Sequence, residues 1–114
     1  MAKQISLRPY TGHMWVVGSV EDYHKTHRKL FKELDPDKLT GGEGGRFFAG
    51  EGKDGYWTYL VWANTVPYLV HELTHVLFHV FDRSGINPTD SGGEAFCYML
   101  HTLVEESEGV IRGR

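Results

Sequence analysis

The run His71-Glu72-Leu73-Thr74-His75 sets two imidazoles four residues apart, with a carboxylate beside the first. Residues four apart on a helix lie on one face about a turn from each other, so both rings can reach one metal ion. Glu72 projects next to them, where it can accept a proton from water activated by that ion. The pattern points to zinc used as a Lewis acid, and seven histidines in 114 residues agree with metal chemistry. A histidine-bearing surface helix without a metal is the plainer reading. The phase speaks against it, because Leu73, Val76 and Leu77 form the apolar stripe and leave His71 and His75 on the opposite side.

A zinc ion in a catalytic site usually takes three protein ligands and keeps one position for water. His79 continues the series His71, His75, His79, but eight residues of helix span about 12 Å, too far for all three rings to share an ion. Glu94 is the better candidate for the third ligand. Eighteen residues separate it from His75, enough for one helix to end, turn at Ser84-Gly85 and return as a second helix. Ser91-Gly92-Gly93-Glu94 also fits the capping pattern S-x-x-E, in which the glutamate serves only its own helix terminus.

Several elements must position these residues. Met14 to Val20 is rich in β-branched and aromatic residues and reads as a strand. A charged helix follows to Leu34, with Tyr23, His27, Leu30, Phe31 and Leu34 at helical spacing, and Asp35-Pro36 ends it. From Asp35 to Gly45 the chain is polar and glycine-rich and predicts a loop. Arg46–Ala49 and Tyr56–Ala63 predict a β-hairpin. Its turn spells G-x-G-x-x-G, but an aromatic strand follows where a dinucleotide site needs a helix. Gly41-Gly42-Glu43-Gly44-Gly45 lacks the Lys-Ser/Thr ending of a phosphate loop. Asn64 or Thr65 caps the motif helix, Pro67 fits its first turn, and Gly85 is its stop. The second helix carries Phe96, Met99, Leu100, Leu103 and Val104 on its apolar face, and the tail from Ser107 to Arg114 is expected to fray.

Composition narrows the setting. A chain of 114 residues reads as one domain, 1–114, and 40% apolar with 24% charged residues is ordinary for a globular protein. A net charge of −3 gives no reason to expect nucleic acid or an anionic membrane as partner. The single cysteine, Cys97, rules out an internal disulfide and fits a reducing compartment. With neither a secretory leader nor an apolar run of spanning length in view, a cytoplasmic location is expected.

HExxH followed by a glutamate on the next helix resembles the gluzincin superfamily of zinc metallopeptidases. Gly93-Glu94-Ala95-Phe96-Cys97-Tyr98 is similar to the glutamate helix of its small members, the ImmA/IrrE-type peptidases and short phage-encoded metallopeptidase-like proteins. The resemblance covers roughly residues 56–104. It implies a minimal zincin-like α+β fold of order β-α-β-β-α-α, a small antiparallel or mixed sheet packed on an active-site helix and a glutamate helix. It further implies one Zn2+ ion, peptide-bond hydrolysis with Glu72 as general base, and an edge strand, Tyr56–Ala63, that holds an extended peptide or protein substrate. Tyr98 or His101 would stabilise the oxyanion or orient a ligand. Two alternatives stand beside this: a catalytically silent, phage-derived zinc fold that binds a host protein, and a structural zinc site closed by Cys97 or His101.

Overall fold

Strand alternation and two amphipathic helices account for the architecture. The computed structural model describes residues 1–112. Strands β1 (Ala2–Ile5), β2 (His13–Val17), β3 (Gly45–Glu51) and β4 (Trp57–Ala63) form one sheet in the order β1-β2-β4-β3. The outer pairs β1/β2 and β3/β4 are antiparallel, and the central pair β2/β4 is parallel. Helix α1 (Val20–Leu30) lies between β2 and β3, and α2 (Val66–Arg83) and α3 (Glu94–Arg112) follow β4. The α+β class and the order β-α-β-β-α-α are therefore found, with β1 as an additional leading strand.

Successive strand residues point to opposite faces. Met14 and Val16 of β2, with Tyr59, Val61 and Ala63 of β4, share one buried cluster with the apolar faces of α2 and α3. Val17, Leu60 and Trp62 point the other way, to Tyr23, Phe31 and Leu39. Both faces of the sheet are covered, which is why its central strands are mostly apolar, with His13 and Thr58 at their starts the polar members.

Three expectations need correction. The first helix stops at Leu30 rather than Leu34, because Phe31 turns extended (φ −104°, ψ 147°) and bridges Gly52 beside the hairpin turn. Helix α3 continues to Arg112 instead of fraying from Ser107, and Ser107, Val110 and Ile111 are buried; residues 113–114 of the expected tail lie outside the described residues. The strand expected to be an edge, Tyr56–Ala63, lies inside the sheet as β4. It bonds β2 on one side and β3 on the other, so β3 is the edge.

The loop before β3 is anchored by one polar cluster. Arg46 donates from Nε and Nη2 to the two carboxylate oxygens of Asp35, at 3.0 and 2.7 Å, and the Tyr23 hydroxyl donates to the same carboxylate at 2.6 Å. Burial pushes the Asp35 carboxyl up, but these hydrogen bonds and one from the Asp37 N–H outweigh it and hold it below the usual carboxylate value. Removing Asp35 leaves Arg46 with only the exposed Asp37 carboxylate, at 3.2 Å, and the Tyr23 hydroxyl without its acceptor. Asp35→Ala should lower stability by about 3 kcal/mol, read in urea as a lower midpoint at unchanged slope.

His27 is the acid-sensitive point of the same layer. It is buried between Phe31 and Phe48, at ring separations of 4.6 and 4.4 Å, and its Nε2 has no hydrogen-bond partner. Burial holds its pKa below the usual imidazole value of 6.5. The unfolded chain takes up a proton there that the folded chain refuses. The contribution is thus complete above about pH 6.5 and is lost as the pH falls through the lower folded value. In urea melts from about pH 7 to about pH 5, His27→Leu should show a shallower loss of stability than wild type.

Candidate metal centre

Helix α2 begins where the Thr65 side chain accepts the Tyr68 N–H and Pro67 occupies the first turn. Leu69, Leu73, Val76, Leu77, Val80 and Phe81 are all 2% exposed or less, and they fix the rotation of α2 on the sheet and on α3. That rotation leaves His71 and His75 exposed and turns Glu72 inward to 7% exposure.

The two imidazole Nε2 atoms are 3.2 Å apart. Two ligands about 2.05 Å from a tetrahedral zinc are separated by about 3.3 Å, so the pair already has the span of a coordination edge. The same distance allows a hydrogen bond from one neutral ring to the other. What singles the pair out is its company. Ligand atoms of His71, Glu72 and His75 all lie within 4.8 Å of one another, and no other group of three such residues among the described residues does so. This group could hold a metal ion.

Strand β3 forms one wall of the site. The Phe47 ring stacks on His75, with centroids 5.1 Å apart at an interplanar angle of 13°. Gly45 lies against Glu72: a Cβ built on Gly45 would stand 3.0 Å from both Cγ and Oε2 of the glutamate and 3.1 Å from the Trp62 carbonyl oxygen. Gly44, at φ +87°, carries the Tyr68 ring directly on its backbone, where a Cβ would fall 2.4 Å from a ring carbon. Two members of the glycine cluster thus serve close approach. Its signal in the sequence was two adjacent glycines opening a strand, and nothing there named Tyr68 or Glu72 as the neighbours. Burial pushes the Glu72 carboxyl above its usual range, and the charges of His71, His75 and Arg46 act against that rise.

The remaining expected residues lie elsewhere. His79 is exposed, and its ring meets Phe47 and Tyr59 edge-on at 5.5 and 6.3 Å. Tyr98 is 71% exposed, and His101 pairs with Glu105 at 2.5 Å on the solvent side of α3. Cys97 is exposed and outside the group. Glu94 opens α3, exposed and also outside the group. Phe96 packs on Phe78 and Phe81, at 5.0 and 5.4 Å, so the head of α3 lies beside the last turns of α2 rather than beside His71. The structure does not bring Glu94 to the histidines. Nor does it show the capping box, since the Glu94 carboxylate accepts no hydrogen bond among the described residues and Ser91 is left-handed at φ 54°.

No family model, curated protein or solved structure matches this chain. No helix among the described residues is long and apolar enough to cross a membrane.

Loss of a direct ligand should exceed the roughly 10–100-fold effect of losing an outer partner. If this group holds a metal ion, titration in competition with a chromophoric chelator should find binding of that ion weakened more than about a hundredfold by His71→Ala and by His75→Ala. Glu94→Gln tests the third ligand in the same titration: with α3 as placed, its affinity should stay close to wild type, and a loss matching the histidine variants would add Glu94 to the set.

Proposed function

We propose that the protein is a small zinc metallopeptidase of the gluzincin kind, hydrolysing a peptide bond in a substrate laid along β3. The observation that carries this reading is the His71–His75 pair at coordination spacing, with the Glu72 carboxylate in the same group. Imidazole donors and a neighbouring carboxylate suit zinc. Bound there, zinc would supply Lewis acidity, acidifying a water and polarising the scissile carbonyl.

This chain's residues would do the rest. His71 and His75 hold the ion from consecutive turns of a rigid helix. Glu72 takes the proton from the attacking water and returns it to the leaving amine. Its seat against Gly45 limits where the carboxylate can stand, so the base is positioned before substrate arrives. The outer side of β3 has no strand partner among the described residues, which leaves backbone groups available to an added strand. The order of HExxH and Glu94 along the chain is the order of the same family, but Glu94 as placed stands outside the His71–Glu72–His75 group and is not counted among the ligands. Tyr98 and His101, as placed, hold no position over the site from which to stabilise an oxyanion.

Two variants test the base and its seat. Glu72→Gln should keep zinc binding and lower kcat by a factor on the order of 10²–10⁴, measured by mass spectrometry on a peptide library. Cleavage at the wild-type rate would reject the mechanism. Gly45→Ala should displace the carboxylate and cost on the order of 10²-fold in kcat with zinc affinity unchanged.

A further inference from the structure

An open cleft of about 670 Å³ lies one turn beyond His75 along α2. Phe78, His79 and Asp82 of α2 form its floor, and Ile86, Asn87 and Pro88 of the following loop form its rim. Its chemistry is mixed in a specific way. Phe78 and Ile86 are exposed apolar side chains, at 51% and 36%, and Phe78 is backed by Phe96. The Asp82 carboxylate has no hydrogen bond or ion pair among the described residues, and it stands in the last turn of α2, where the helix dipole adds negative potential. The next residue, Arg83, does not neutralise it: the Arg83 guanidinium lies over the Trp57 ring at 4.2 Å. Asn87 is held in place, its Oδ1 accepting from the Thr89 N–H and hydroxyl at 3.0 and 2.8 Å.

We infer that this cleft is a substrate subsite for a basic side chain, arginine above all, in the peptide that the metal centre would cleave. The inference rests on the peptidase reading and deepens it. An arginine carries an aliphatic stem and a flat guanidinium. The stem matches Phe78, Ile86 and Pro88, and the head can make two parallel hydrogen bonds to the Asp82 carboxylate. An acidic side chain would meet Asp82 and the helix terminus unfavourably. The register follows from the helix. Seven residues from His75 to Asp82 are about 10 Å along the axis, the length of roughly three residues of extended peptide. His79 spans the interval, shared between the cleft and the Phe47 wall of the metal centre. The selected residue therefore lies about three positions from the scissile bond.

The test uses the zinc-loaded full chain and matched fluorescent peptides with Arg, Lys, Leu or Glu at each position in turn. Binding is read by anisotropy on the Glu72→Gln variant, and cleavage by mass spectrometry on the wild type. At one position, Arg should bind at least tenfold more tightly than Leu, with Glu weakest. Adding Asp82→Asn should abolish the preference, and Asp82→Lys should turn it toward Glu. Equal affinity for Arg, Leu and Glu peptides, or a preference that survives Asp82→Asn, overturns the subsite. The two readings fail separately. Selective binding without any cleavage by the wild type removes the peptidase and leaves the subsite, whereas cleavage without selectivity does the reverse.

Discussion

The rotation of α2 about its own axis is the constraint on which the rest depends. Six apolar residues on one stripe, none more than 2% exposed, seat this helix on the sheet and on α3. Close packing penalises a change of even a methylene in such a core, so the helix has one rotational setting. At 100° per residue that setting dictates every other direction. Glu72 turns toward β3, while His71, His75, Phe78 and Asp82 share the exposed side, where Phe78 meets Phe96 of α3. Burial of leucines and valines thus aims side chains that take no part in the core.

A second element has to meet that helix at close range. The entry to strand β3 does so with two glycines, Gly44 under the Tyr68 ring and Gly45 under the Glu72 carboxylate. The next residue, Arg46, is tied to Asp35 and through it to Tyr23 of α1. The start of β3 is therefore held from both faces of the sheet, by absence of side chains on one and by a charged cluster on the other. Glu72 is desolvated within this arrangement, and burial raises its carboxyl against the pull of His71, His75 and Arg46.

Much of this was legible in the sequence. HExxH and the apolar stripe marked the candidate metal pair and its helix, and the aromatic runs marked the hairpin. What escaped has physical causes. Strand β1 buries only Ile5 and shows no alternation to read. The parallel pairing of β2 with β4 joins segments about forty residues apart, and no local signal could show that it moves the free edge from β4 to β3. The segment from Ser107 was expected to fray, yet Val110 and Ile111 find tertiary burial. Tyr98 and His101 follow Glu94 by four and seven residues, which by the helical period puts the three on one face. That period fixes a face relative to its own axis and cannot say whether the face meets α2 or water.

Strand β3 leaves a further mark on the molecule's behaviour. An unpaired edge bearing Phe47 and Phe48 is a template for any extended chain, including a second copy of itself. Its far end is blunted, since the Lys32 N–H bonds the Glu51 carbonyl and the Lys32 ammonium pairs with the Glu51 carboxylate. The near end, Gly45 to Gly50, has no such guard among the described residues. Crowded solutions of this protein are therefore open to edge-to-edge zippering, and an extended ligand seated on β3 would act as a solubiliser.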